Sequence, residues 1–599
     1  MGVRVFRIAL CILMVGLGAC TPNSSPNPIE ERVINPVSSP KPIEEEVMSP
    51  VFNTPVIQFS KAMYQPGQPV DVIVDLQIGE PLLQKATIRI EITHLNQALK
   101  VFEEVLEEGK QSWKLAYSWM PPLEAPQGYG IDVSVLDSSG NVVTSVSDGF
   151  DVLNRWTETP RYGFLVNYAP GRQDAAETME ILTKYHINGL QFYDWMYRHE
   201  QFLTDEEPYQ DLLGRELSIE SIKRLISAAH NQNMAAMPYT AVYGASKAFY
   251  EEHPDWVVYQ RNGQPHWFGE DFMVIMDPRP QSAWTNHLMQ QFASILDQTE
   301  FDGIHLDQYG DPKIGYDAAG NSYHLDEVLA AMINETQIMV EAKRDNGAVV
   351  FNAVTNWPIE KVAPANQDLV YIEVWAPYTN FNELGQLVVQ AQNESEGKPV
   401  VIAAYIDPAH ETNALLMDAI IFSNGGSRIE LGEKGGYLAD PYFPKYKQPS
   451  AKLSELLQRY YAFTIRYQDW FGPRTMAEKL FSYKNVKIEG YETNPAMIQD
   501  KIMVVGRRNE NGMAISLVNM LGIGSGQWTE AVSGMPQELQ NLKVNVKLDG
   551  KSVQNIYFAS PDSMEMALQA IPFEQNGTQV TFQVPDLKIW SLLMLEWSK

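Results

Sequence analysis

Between about residues 156 and 470 the sequence repeats one unit eight times: a short, almost wholly apolar run, then an amphipathic stretch of helical period. The runs are GFLVN (163–167), GLQFYDW (189–195), MAAMPYT (234–240), GIHLDQ (303–308), AVVFNAV (348–354), LVYIEVW (369–375), PVVIAAY (399–405) and SRIELGE (427–433). AAETMEILTKYH (175–186) and SIESIKRLISAAHNQ (218–232) exemplify the stretches between them. A strand with one wet face alternates polar and apolar residues. Runs without that alternation are covered on both faces, as in a parallel sheet wrapped in helices. Eight such units predict a (β/α)8, or TIM, barrel. An open doubly wound sheet is the competing arrangement, but no Gly-x-Gly-x-x-Gly turn follows the first run.

The flanks have the other period. Over 55–155 the apolar residues alternate, as in Val70, Val72, Val74 and Leu76, then Ile88, Ile90 and Ile92, then Ile131, Val133 and Val135. Turn signals such as QPGQP and DSSGN separate them, which predicts a β-sandwich. Residues 471–599 return to this pattern, with KIMVV and MAISLVNM flanking an Asn511-Gly512 turn, and predict a C-terminal antiparallel β-domain. The expected whole is a multidomain β plus α/β protein.

The N-terminus is a different kind of segment. Arg4 and Arg7 precede a short apolar stretch, Ile8 to Val15, and Leu17-Gly18-Ala19-Cys20 resembles a bacterial lipobox. Residues 1–20 are therefore expected to be a lipoprotein signal peptide with Cys20 as the lipidated residue. Residues 21–54, rich in Pro, Ser and Glu, cannot bury a core and are expected to form an extended tether. Cys11 and Cys20 are the only cysteines, so the folded body has no disulfide and no thiolate metal site. A net charge of -29, from 45 Lys+Arg against 74 Asp+Glu, argues against nucleic acid as a partner.

In a (β/α)8 barrel the C-terminal ends of the strands carry the chemistry. The polar residues there are Asn167 and Tyr168; Tyr193, Asp194 and Trp195, with His199 just beyond; Tyr239; and His305, Asp307 and Gln308. The later strands add Asn352 and Asn356; Glu373 and Trp375; Tyr405 and Asp407; and Glu430 and Glu433. Carboxylates among aromatics suit glycosidic bond cleavage. One carboxylic acid protonates the leaving oxygen, and a second carboxylate attacks the anomeric carbon or activates water. Asp307, ending DGIHLD, and Glu373, set between Ile372 and Val374, are the best pair, because apolar surroundings raise a carboxyl pKa toward that of a general acid. Other roles exist for single residues. Asp407 before Pro408 can cap a helix, Glu430 and Glu433 can be structural, and His199 and His305 can be core histidines.

RYGFLVNYAPGR (161–172), NGLQFYDWMYRH (188–199), FDGIHLDQYGDP (301–312), YIEVW (371–375) and AIIFSNGGSRIELGE (419–433) together resemble glycoside hydrolase family 66. That family holds dextranases and cycloisomaltooligosaccharide glucanotransferases, which act on α-1,6-glucan. The resemblance spans roughly 55–599. It implies an Ig-like N-domain (55–155), a TIM barrel (156–470) and a C-terminal β-domain. It also implies a retaining mechanism with Asp307 as nucleophile and Glu373 as acid/base, and Asp194 bound to sugar hydroxyls at the cleavage site. Tyr193, Trp195, His199, Tyr239, His305, Gln308, Asn356, Trp375, Tyr405 and Glu430 complete the expected substrate-binding set. No metal or organic cofactor is implied.

The expected partners are dextran and isomaltooligosaccharides, with the membrane reached through the lipid anchor of a secreted bacterial monomer. The family's glucanotransferases carry a carbohydrate-binding module in the later half of the barrel. Here about 25 residues link the sixth run to the seventh, which favours hydrolysis of dextran over cyclisation, and the expected activity is that of an endo-acting dextranase. A glycan-capturing surface lipoprotein with an inactive barrel is the other class of function, and the presence of both carboxylates weighs against it.

Overall fold

The computed structural model describes residues 52–270, 272–472, 482–496 and 498–598. The expected signal peptide, Cys20 and most of the tether lie outside the described residues. The end of the tether is described: Phe52 pairs with Ile78, and Asn53 N donates to Gln77 O.

The centre is a ten-stranded sheet. Its strands are β1 (Tyr162–Leu165), β2 (Gly189–Phe192), β3 (Ala235–Ala241), β4 (Gly303–Asp307) and β5 (Ala348–Val354). Next come β6 (Leu369–Glu373), β7 (Val400–Ala403), β8 (Ser427–Ile429), β9 (Leu431–Gly432) and β10 (Gly436–Tyr437). The order is β8-β7-β6-β5-β4-β3-β2-β1-β9-β10. β1 to β8 pair in parallel with their sequence neighbours. β8 and β9 are two halves of one expected run, divided at Glu430. The first half pairs in parallel with β7 and the second with β1, so the segment 427–432 bonds to both ends of the series.

Each of the eight expected runs contains an observed strand, because these strands are buried on both faces: AVVFNA of β5 is buried throughout. Helices lie between them, and their starts are written in the sequence. Ser218, Ser282 and Ser450 each accept a hydrogen bond from the backbone N–H three residues on, satisfying a donor with no partner inside the helix. The helix Glu411–Ser423 is buried on nearly all sides because the C-terminal part of the chain packs on it: Asn413 Nδ2 donates to the carbonyls of Trp528 and Glu530. Glu433, weighed as a structural residue, holds the end of β1. It accepts from Val166 N and Asn167 N and pairs with the buried Arg172.

The N-terminal part has a three-stranded and a four-stranded antiparallel sheet sharing one core, which includes Val72, Val74, Ile88, Ile90 and Val133. It is fastened to the helix Ala451–Arg466 by Arg466, whose guanidinium lies 2.7 Å from Asp132. Gly130 allows that approach, since a Cβ there would fall 2.3 Å from the guanidinium carbon. The C-terminal part has sheets of four and six strands. Pairing there is antiparallel except between Thr493–Asn494 and Ile502–Met503. The expected Asn511-Gly512 turn is broader than two residues. Asn509 N donates to Gly512 O, and the Asn509 side chain accepts from the N–H groups of Asn511 and Gly512, an Asx turn that replaces the tight one.

Candidate active site

A cleft of about 890 Å³ opens over the C-terminal ends of the parallel strands. Asp307 closes β4 and Glu373 closes β6, and both line it. β5 lies between them and contributes Asn352, whose Nδ2 donates to Asp307 Oδ1 at 2.7 Å and to Glu373 Oε2 at 2.9 Å. Those two carboxyl oxygens are therefore at most 5.6 Å apart, the sum of 2.7 and 2.9 Å. Each second oxygen has a phenol. Tyr239 donates to Asp307 Oδ2 at 2.8 Å, and Tyr405 donates to Glu373 Oε1 at 2.7 Å. The Trp375 side chain also bonds Glu373.

Burial penalises charge on both carboxyls. Asp307 is pushed up to about 7, by desolvation first and by the neighbouring Glu373 second, against the pull of Tyr239 and Asn352. Glu373 is raised as well, again by desolvation, against bonds from Asn352, Tyr405 and Trp375. Two carboxyls this close titrate as a pair, and over an interval of pH the pair holds one proton between them.

The expected set divides by position. Tyr193, Asp194, His199, Tyr239, Gln308, Trp375 and Tyr405 line the cleft with the two carboxylates. Asp194 stands just past β2 with φ 47°, a left-handed conformation that Asp tolerates better than most residues. Its backbone carbonyl accepts from Arg215 at 2.7 Å, and burial lifts its carboxyl to about 6. His199 is lowered to about 4 by burial and so is neutral at neutral pH, with Nδ1 unpartnered among the described residues. Trp375 is 40% exposed, an open indole at the rim. Tyr193 stacks on Phe443 at 4.3 Å and 10°. Gln308 reaches the cleft, but its amide nitrogen contacts the carbonyls of Asn352 and Trp357, both at 3.3 Å, which fits support of β5.

Four expected residues do not face the cleft. Trp195 is fully buried and donates from its indole to Tyr239 O, because the left-handed turn at Asp194 breaks the strand's alternation and sends the next side chain into the body. His305 shares a face with Asp307 but lies one layer deeper, bonded to Tyr162 Oη at 3.0 Å. Asn356 follows two left-handed φ angles, its own and that of Thr355, and bonds Gln390 on the helix Phe381–Glu394. Glu430 is wholly buried against Arg428 and Tyr461.

Other cleft residues were missing from the expected set. Asn352 had a signal, a lone amide in an apolar strand that faces the same side as Val350 and Val354. Arg215 bonds Asp211 and the Asp194 backbone from a loop without periodicity. Phe268, stacked on Tyr309 at 4.2 Å, comes from a three-stranded excursion between β3 and β4.

Comparison with known proteins gives the family. Residues 59–594 match the family model described as Glycosyl hydrolase family 66. A cycloisomaltooligosaccharide glucanotransferase of Niallia circulans is 22% identical, over 90% of this chain and 71% of its own length. A dextranase of Streptococcus salivarius is also 22% identical, over 78% of this chain and 67% of its own. The crystal structure of a Paenibacillus sp. cycloisomaltooligosaccharide glucanotransferase complexed with cycloisomaltoheptaose superimposes with a TM-score of 0.83. It has 20% identity and covers 90% of this chain and 99% of that one. The protein belongs to glycosyl hydrolase family 66.

Proposed function

We propose that this glycoside hydrolase is an endo-acting dextranase that cleaves α-1,6-glucosidic bonds with retention, through a covalent glycosyl-enzyme intermediate. One observation carries the mechanism: the shared amide of Asn352 holds the facing oxygens of Asp307 and Glu373 within 5.6 Å, from bonds of 2.7 and 2.9 Å. A direct nucleophile must touch the anomeric carbon, so retaining enzymes space their carboxyls at about 5–5.5 Å. Inverting enzymes leave room for a water and need about 6.5–9.5 Å. Asp307 is proposed as the carboxylate that attacks, on the likeness of HLDQYG to the family's nucleophile motif. Glu373, open to the indole of Trp375, protonates the leaving oxygen and then deprotonates the incoming water.

The substrate is inferred from the relatives' names together with a cleft lined by aromatic side chains such as Tyr193, Tyr239, Trp375 and Tyr405. Asp194, Tyr193, His199 and Tyr239 are proposed to hold the sugar whose bond breaks. The scaffold is proposed to be a closed (β/α)8 barrel spanning about 156–470. The double pairing of 427–432 with β7 and β1 supports closure, and the two sheets around one core support an Ig-like domain before it. A C-terminal β-domain from about 471 completes the proposed division.

Glucanotransfer is the second reading, since relatives of both activities match. Hydrolysis is favoured because β6 and β7 are joined by a single helix, Phe381–Glu394, with no inserted domain. The decisive measurement is proton NMR of the first product from dextran. An initial α-anomer is expected, and an initial β-anomer removes the retaining mechanism. Sizing the products separates linear from cyclic ones. The protein is further proposed to be a monomer held at a bacterial membrane through Cys20. Cys20→Ser is expected to move it from the detergent phase to the aqueous phase, and equal partitioning of the two forms overturns the anchor.

A further inference from the structure

Asn352 sits on the strand between the two that carry the carboxylates, and its two N–H bonds go to one oxygen of each. Tyr239 and Tyr405 occupy the other oxygens. The Asn352 carbonyl Oδ1 is buried and has no partner among the described residues. Turned over, the amide would aim that carbonyl at two carboxyl groups, which is repulsive unless both are protonated. The orientation thus suits a pair that carries negative charge.

We propose that Asn352 is a positioning residue that stabilises the catalytic pair's negative charge as it alternates between Asp307 and Glu373 during each turnover. This rests on the retaining reading above. At the start Asp307 is the anion and Glu373 the acid. An Asp307 oxygen bonds to the anomeric carbon, the glycosidic C–O bond breaks, and the Glu373 proton goes to the departing oxygen. Asp307 is now a neutral ester and Glu373 an anion. In the second half water adds to the anomeric carbon, gives its proton to Glu373, and the ester bond breaks to return the charge to Asp307. A hydrogen bond to an ionised acceptor is about twice as strong as one between neutral groups. One amide with a donor on each carboxyl therefore stabilises whichever is charged without moving.

The ionisable groups facing this amide are few. Asp307 of β4 and Glu373 of β6 bond it directly, Tyr239 of β3 and Tyr405, just past β7, bond those two carboxyls, and the buried His305 and Tyr371 stand on the same two strands as the carboxylates. Burial keeps the three phenols well above their ordinary range and the imidazole well below its own, so among the groups around the amide the carboxyl pair titrates in the working range, and Asp194, raised to about 6, is the other carboxyl of the cleft that does.

The test uses the full chain with dextran. Asn352→Asp keeps the shape but replaces donors with a third carboxyl, and Asn352→Ala removes the donors. Both are expected to lower kcat by about 100-fold with KM within about threefold, while thermal unfolding confirms folding. In Asn352→Ala both limbs of the kcat/KM pH profile should move up by about one pH unit, since each anion loses a donor. In Asn352→Asp activity should fall away as the third carboxyl ionises. Wild-type kcat in Asn352→Asp, or a lowered kcat with unmoved limbs in Asn352→Ala, overturns the proposal. The parent reading fails separately, on the first-formed anomer of the wild-type enzyme.

Discussion

Asp307→Ala and Glu373→Gln are each expected to lower kcat on dextran by at least ~10³-fold, about 4 kcal/mol of transition-state stabilisation, with the fold intact. The two losses have different signatures. Without Asp307 no covalent intermediate forms. With an activated α-glucosyl donor, azide can enter the vacated space and give an inverted, β-linked azide. Without an acid at 373 the intermediate still forms from an activated donor, and azide attacks it to give a retained, α-linked azide. Product stereochemistry therefore assigns nucleophile and acid/base separately. Near-wild-type rates in either variant, or the same azide anomer from both, would sink the assignment.

The pair also costs stability, with a defined pH dependence. Asp307 stands near 3.8 in the unfolded chain and is raised to about 7 by the fold. The folded state therefore binds the proton more tightly, and stability falls as pH rises between those values. Asp307→Asn keeps the shape, removes one of the pair's two ionisations and leaves Glu373 without a charged neighbour. Above pH 7 the variant should be more stable than the wild type by about 2–4 kcal/mol, and below pH 4 the difference should vanish. Thermal unfolding across pH measures this directly.

What could be read in the sequence follows from what period and direction encode. The parallel strands were legible because burial on both faces leaves apolar runs, and Asp307 and Glu373 because a carboxylate at the end of such a run has few places to go. Depth was not legible. His305 and Asp307 share a face, and nothing in GIHLD says that one lies beneath the floor and the other on it. Direction was lost wherever the chain left the strand through a left-handed residue, as at Asp194 before Trp195 and at Thr355 before Asn356. The cleft walls were opaque for another reason. The loop that brings Arg215 and the excursion that brings Phe268 have no period, and their placement depends on contacts distant in sequence, such as Phe268 with Tyr309.

Glu430 exposes the same limit and leads to the second large effect. Arg428→Met is expected to destabilise the protein by about 3–5 kcal/mol, with a clear drop in thermal midpoint. Arg428, Asp418 and Glu430 are all without solvent exposure. The guanidinium lies 3.1 Å from Asp418 and 3.0 Å from Glu430, and it also donates to Ala404 O at 2.8 Å. Two carboxyls against one cation leave one charge too many. Burial and the neighbouring Glu430 raise Asp418 well above the carboxylate range, so Asp418 keeps its proton and the cluster is neutral. Removing the cation strands Glu430, since among the described residues neither carboxyl has another ion-pair partner. Glu430→Gln should be far milder, because Asp418 can ionise in its place and keep the guanidinium paired. A mild stability change with an unaltered KM for dextran places Glu430 in the core's ion cluster. A tenfold rise in KM with an unchanged thermal midpoint would return it to the substrate-binding set.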